Sequence, residues 1–260
     1  NFPTLSFALS PAEQRLLDPR LSDGRAKNIS LRWSDSHSEL RGAAGTADER
    51  TALQTMLERY AGLSEAFALR LFPAYRGGLQ RGGTSFRPID IAGRSTSWRQ
   101  DDTRMHVDAF PSNPMQGIRL LRVFNNVNPY GQPRRWRVGE RFEDHARRFL
   151  PKIARPLPGS AWWLEKTGIT KRRRTEYDHL MLQLHDRAKA DAAFQRDSPQ
   201  TRVDFAPGST WVVFSDQVLH AAMGGQHIVE QTFYLDPSKQ QQPQTSPRAI
   251  LERLLGRTVL

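Results

Sequence analysis

The stretch Thr103-Arg104-Met105-His106-Val107-Asp108-Ala109-Phe110-Pro111 decides how the rest of the chain is read. His106 and Asp108 are two residues apart, and in an extended backbone residues i and i+2 point to the same face. An imidazole beside a carboxylate makes two thirds of a 2-His-1-carboxylate facial triad. Such a triad grips one face of a non-haem Fe(II) and leaves the opposite positions open. The pair occurs often by chance, so it needs a second histidine at the end of another strand. His220 fits, because it closes Phe205-Ala-Pro-Gly-Ser-Thr-Trp-Val-Val-Phe-Ser-Asp-Gln-Val-Leu-His220, a Pro-Gly turn followed by an apolar strand. The competing reading is a half-buried strand histidine near a loop carboxylate. His106, Asp108 and His220 are the candidate metal ligands and catalytic centre.

Outward from this stretch, the flanking segments read as strands with helices around them. Upstream, residues 1–45 carry scattered Pro, Ser and Gly and are expected to drape over the domain rather than build it. Thr46-Ala-Asp-Glu49 is a capping box, and Leu53, Met56, Leu57 and Tyr60 recur at helical spacing behind it, which predicts a helix to about Tyr60. Residues 66–73 extend that helix or begin a strand. The Gly-rich run 76–83 lacks both the Lys-Ser/Thr ending of a P-loop and G-x-G-x-x-G spacing, so it reads as a loop. Residues 84–92 look like the first sheet strand, and Arg94 and Arg99 lead from it toward the mouth of the site.

Downstream, residues 117–128 form a long β-rich segment. Arg119 and Arg122 have opposite parity there, so at most one faces inward. Arg134-Arg135-Trp136-Arg137 reads as a basic, aromatic edge. Helices are expected over 140–150 and from Tyr177 to Ala188. His179 and His185 lie six apart on the second of these and do not form a metal pair. Trp162-Trp163 is expected in the core, with lipid headgroups as the alternative. Strands return at 201–205, 210–214 and 229–235, the last after a Gly224-Gly225 hairpin. A polar linker at 236–246 and a short helix through Leu255 end the chain. The pattern predicts a mainly β fold with α additions, a double-stranded β-helix (jelly roll) whose mouth holds one metal. As one domain it divides into a cover (1–75), a core (76–236) with a helical insertion (140–195), and a C-terminal linker and helix (237–260).

Composition narrows the chemistry. With no cysteine, disulfides, thiolate zinc sites and cysteine nucleophiles are excluded. No apolar run of about 18 residues and no signal-peptide pattern is present. The formal net charge is +11, and only six of the 38 basic residues are lysine. Guanidinium groups suit bidentate capture of carboxylate and phosphate, so an anionic partner is expected, although an Arg-rich codon bias would produce much of the same charge. The run Lys171-Arg172-Arg173-Arg174 reads as a solvated face or as a contact for anionic lipid.

Several of these segments together resemble one family. Trp98-Arg-Gln-Asp-Asp-Thr-Arg-Met-His-Val-Asp-Ala-Phe-Pro-Ser, Arg119-Leu-Leu-Arg-Val-Phe-Asn-Asn-Val-Asn-Pro, Trp136-Arg-Val-Gly-Glu-Arg-Phe-Glu and Phe214-Ser-Asp-Gln-Val-Leu-His-Ala-Ala-Met are similar to the Kdo hydroxylases, over roughly residues 75–235. The resemblance implies an Fe(II)- and 2-oxoglutarate-dependent dioxygenase that uses O2, with ascorbate as a stimulant. It would hydroxylate the deoxy carbon (C3) of 3-deoxy-D-manno-oct-2-ulosonic acid (Kdo) on lipid A, a lipopolysaccharide precursor. It also implies a cytoplasmic protein in peripheral contact with the anionic inner membrane; because the sequence holds no recognisable nucleic-acid motif, no nucleic-acid partner is expected. Many members of the wider superfamily place an Arg on the strand after the distal histidine to hold the distal carboxylate of 2-oxoglutarate. Here that strand, His227-Ile-Val-Glu-Gln231-Thr-Phe-Tyr, has none. The clamp then falls to Arg122, favoured over Arg119, with Gln231 as a neutral helper. Arg94, Arg99 and Arg119 are the candidates for substrate carboxylate and phosphate. The rival readings are the same chemistry on another small acidic or sugar substrate, and a non-catalytic Arg-rich binding module.

Overall fold

A computed structural model describes residues 1–34, 37–91 and 96–260. Among the described residues nine strands build two antiparallel sheets: β1 (Ile29–Trp33), β2 (Ser38–Arg41), β3 (Leu79–Arg87), β4 (Arg119–Asn126), β5 (Arg134–Val138), β6 (Thr201–Phe205), β7 (Thr210–Phe214), β8 (His220–Gly224) and β9 (Ile228–Leu235). The large sheet runs β2-β1-β3-β9-β4-β7 and the small sheet β6-β5-β8. Phe124, Trp136, Phe205, Trp211 and Ile228 fill one end of the space between them. This is the expected jelly roll.

Helices close the outer faces. They are α1 (Pro11–Gln14), α2 (Ala47–Leu71), α3 (Phe142–Phe149), α4 (Ser160–Lys166), α5 (Glu176–Ala190), α6 (Ala192–Asp197) and α7 (Pro247–Leu255). The capping box of Thr46 and Glu49 starts α2 as the sequence predicts. The helix continues beyond Tyr60 until Pro73 forces the residue before it out of helical conformation. Its buried stripe lies on the outer face of the large sheet, where Tyr60 donates its hydroxyl to the carbonyls of Val123 and Val229 at 3.1 and 3.3 Å. On the other side α3, α5, α6 and α7 form a helical layer with Met105, Val107, Leu219 and Ala221 against it. Among the described residues no helix is long and apolar enough to cross a membrane.

Four expectations need correction. The N-terminal region does not merely drape: β1 and β2 extend the large sheet, with Ile29 and Leu31 buried on alternate positions. The Gly-rich run is not all loop, because β3 starts at Leu79 and carries Gly82-Gly83 as a bulge opposite β9. A Cβ at Gly82 would stand 3.0 Å from the Thr232 carbonyl oxygen, so the close strand approach calls for glycine. The 134–137 stretch is not an edge but the central strand of the small sheet. Finally, Gly224-Gly225 does not join a hairpin, since β8 and β9 belong to different sheets. Gly225 turns the chain between them at φ +101°, where an L side chain is strained.

Candidate metal centre

His106, Asp108 and His220 converge, with one ligand atom from each lying within 4.8 Å of the others. The segment carrying His106 and Asp108 is not a full strand, yet its alternation holds, with Met105 and Val107 in the helical layer and His106 and Asp108 on the opposite side. Other groups replace the missing strand partner. The side-chain amide of Gln195 accepts from the Met105 N–H at 2.7 Å and donates to its carbonyl at 2.9 Å. His106 exchanges two backbone hydrogen bonds with His220, at 2.9 and 2.8 Å, and the Asp108 N–H donates to Ser215. His106 and His220 are thus a directly paired couple at the start of β8.

The ring orientations are set in the same way on both histidines. Nδ1 of His106 lies 2.7 Å from the Arg104 carbonyl, and Nδ1 of His220 lies 2.8 Å from that of Val218. A proton on each Nδ1 satisfies these bonds and leaves the Nε2 lone pairs free, the tautomer a metal ligand needs. Trp136 stacks on His220 with ring centroids 4.9 Å apart. Burial pushes the His106 imidazole down to about 4, against the pull of Asp108, and lowers His220 as well. Burial alone would raise the Asp108 carboxyl, but Arg122 and the two histidines outweigh it and hold it well below the usual carboxylate range. Two neutral imidazoles and one carboxylate at neutral pH suit a divalent first-row metal.

The triad opens into a cavity of about 1230 Å³ between the sheets. Ten Lys and Arg side chains and three carboxylates line it, so among the described residues its wall is strongly cationic. Arg122 pairs with Asp108 at 3.0 Å and with Glu230 at 2.9 Å. Glu230 also pairs with Arg87. Arg134 is buried in the same wall, with Nη1 donating to the Gly225 carbonyl at 2.8 Å. Burial, and then the nearby Arg87, lowers Arg134 to about 9. His185 on α5 meets His106 edge-on at 5.3 Å and lines the same cavity.

The remaining predicted residues separate by strand parity. Arg122 faces the cavity. Arg119 points to the other face of β4, where Asp216 holds it at 2.6 Å and its guanidinium lies 4.2 Å from the Phe214 ring, so it is not a substrate residue. Gln231 likewise sits on the opposite face of β9 from Glu230, fully buried, accepting from Thr84 and donating to Gly82. It does not line the cavity and is no helper there. Arg99 stands at the cavity rim, paired with Asp186 at 3.1 Å and stacked on Trp98. Arg94 lies outside the described residues. Arg87, Arg134 and Glu230 went unread in the sequence. Arg134 was detectable, because it shares the period-two face of the aromatic Trp136.

A jelly roll with two histidines and a carboxylate at the mouth of a cationic cavity defines the mononuclear non-haem iron oxygenases. The sequence profile of the 3-deoxy-D-manno-oct-2-ulosonic acid (Kdo) hydroxylases matches residues 1–258, and the chain belongs to that family. Crystal structures of the Kdo hydroxylase KdoO, a non-haem Fe(II) α-ketoglutarate-dependent dioxygenase, are similar to it. The cobalt(II) complex is 47% identical with a TM-score of 0.94, covering 99% of this chain and 86% of that one. The complex with α-ketoglutarate and Fe(III) is 46% identical with a TM-score of 0.93, covering 100% and 86%. No curated protein sequence matches the chain significantly.

Proposed function

We propose that this protein hydroxylates Kdo at its deoxy carbon, C3, while the sugar is attached to lipid A, with Fe(II) held by His106, Asp108 and His220. The carrying observation is the triad opening directly onto a cavity walled by guanidinium groups. With 2-oxoglutarate as co-substrate, ferrous iron supplies activation of O2 and insertion of one oxygen atom into a C–H bond, with succinate and CO2 as the other products. The residues do the positioning. The paired backbones of His106 and His220 fix the ligand spacing, and Arg104 and Val218 fix the tautomers. Arg122, the fourth residue of β4 and charged despite its burial, would meet the distal carboxylate of 2-oxoglutarate from its place between Asp108 and Glu230, with Arg87 and Arg134 in the same wall. Arg99 at the rim meets the substrate's carboxylate. Trp136 and the cavity's depth keep water from the reacting centre. One catalytic unit spans the chain, and it works at the cytoplasmic face of the inner membrane, where an acylated substrate is presented.

The test is succinate release with purified Kdo-lipid A, Fe(II) and ascorbate, and mass analysis of the lipid, for wild type and His106→Ala. Iron-dependent succinate together with one added oxygen atom on the lipid, both lost in the variant, is the expected result. Succinate without an oxidised lipid would move the substrate to another small acidic or sugar molecule. Neither signal from folded, iron-loaded protein would overturn the assignment.

A further inference from the structure

Residues 157–174 carry an exposed surface that the cavity does not explain. Leu157, Trp162, Trp163 and Ile169 are 78%, 41%, 62% and 58% exposed, and these four stand out among the exposed large apolar side chains of the described residues by falling in one short stretch. The sequence placed Trp162-Trp163 in the core, and the structure places them outside it. They contact each other edge-on at 4.9 Å, and Lys166 lies over Trp162 at 5.9 Å. Between residues 151 and 174 the chain has seven Lys and Arg and a single acidic residue, Glu165. No ion pair among the described residues engages Lys166, Lys171, Arg172 or Arg173. Arg173 and Arg174 share a shallow groove of about 230 Å³ with Leu157 and Trp162, so cations and apolar groups alternate over one surface.

We propose that this surface seats the protein on an anionic lipid bilayer. Tryptophan rings prefer the headgroup region, where an apolar body and a polar N–H are both accommodated, and Lys and Arg beside them meet anionic headgroups. A protein partner would be expected to offer matching carboxylates to isolated cations, but it would not favour bare indoles next to ammonium groups as the headgroup region does. The patch is also continuous with the cavity. Lys171 lines the cavity wall, its N–H donates to the Ser112 carbonyl, and Arg174 donates to the Pro111 carbonyl at 2.7 Å. These bonds fasten the basic run to the loop that follows Asp108. The proposal rests on the hydroxylase reading only in one respect, that an acylated substrate makes a bilayer beside the cavity mouth useful.

Sedimentation of the full chain with phosphatidylcholine vesicles, with and without phosphatidylglycerol, tests it. Wild type should pellet with the anionic vesicles, be released by salt, and stay in solution with neutral ones. The exposed triple variant Lys166→Gln/Arg172→Gln/Arg173→Gln should bind anionic vesicles roughly a hundred-fold more weakly, at about five-fold per charge. Trp162→Ser/Trp163→Ser should also lose binding, with an unchanged melting curve. In turnover, both variants should lose kcat/KM on vesicle-embedded Kdo-lipid A and keep it on a deacylated Kdo fragment. Equal pelleting of wild type and both variants, or equal binding to neutral and anionic vesicles, would overturn the proposal. Sedimentation needs neither iron nor substrate, so absent turnover by wild type counts against the hydroxylase reading and leaves this comparison standing.

Discussion

Arg119 and Arg122 lie three apart on β4 and end in opposite surroundings, one in a sealed ion pair and the other in the cavity wall. Their substitutions should therefore fail in different ways. Arg122→Lys loses the planar fork and should raise KM for 2-oxoglutarate by about 10- to 100-fold, with a smaller effect on KM for the Kdo substrate. Initial-rate kinetics varying each substrate in turn would check it, and an equal rise in both would refute the clamp. Arg119→Met leaves the buried Asp216 carboxylate without its partner, and should cost about 3–5 kcal/mol of stability in urea unfolding with KM unchanged. At the metal, Asp108→Asn and His220→Ala should each abolish stoichiometric iron binding, read by elemental analysis. Succinate release should fall by at least about a hundred-fold, with the far-UV circular dichroism preserved.

Elements were legible where periodicity and capping agreed. The box at Thr46 and Glu49 announced α2, and Thr46→Ala should cost about 1 kcal/mol, visible as a lower urea midpoint at constant m-value. The strands at 201–205 and 210–214 came out as read because a Pro-Gly turn separates them. β1 was missed because a five-residue strand with two buried apolar positions is too short a signal amid Ser, Gly and Lys. β5 was taken for an edge because three arginines look solvated, whereas Arg134 turns inward beside Trp136 toward the cavity carboxylates. The convergence of His106, Asp108 and His220 was legible because spacing by two survives even without a regular strand. Gln231 misled because sequence proximity to a candidate strand does not fix which face a residue takes. The exposure of Trp162 and Trp163 was not readable at all, since indole hydrophobicity is the same in a core and at an interface.

At the scale of the whole molecule, stability should follow both pH and metal. His145 is buried in the helical layer between Phe149 and Phe194, and burial, aided by Arg148, pushes it down from 6.5 to about 4. The unfolded chain therefore binds more protons than the fold between those values. The His145 contribution to stability is full above about pH 6.5 and falls as the pH drops toward 4. His145→Phe should flatten that part of the pH–stability curve, measured by denaturant unfolding at intervals of half a pH unit. Metal acts in the other direction. Fe(II) or Co(II) at a hundred times its Kd should add about 2.7 kcal/mol and raise Tm for wild type, and should leave Asp108→Asn unmoved.

The backbone pairing of His106 with His220 has a consequence for which metal the protein carries. Two of the three donors are spaced by a peptide ladder rather than by the ion, so the cage stands ready before anything enters it. A cage that does not need to reorganise discriminates little between divalent ions of similar radius, and intrinsic affinity then follows the general rise from iron through cobalt and nickel to copper. Such a site takes what its surroundings supply. The fidelity of iron loading thus belongs to the metal balance of the compartment, and an excess of a more tightly held neighbour would silence the enzyme without disturbing its fold.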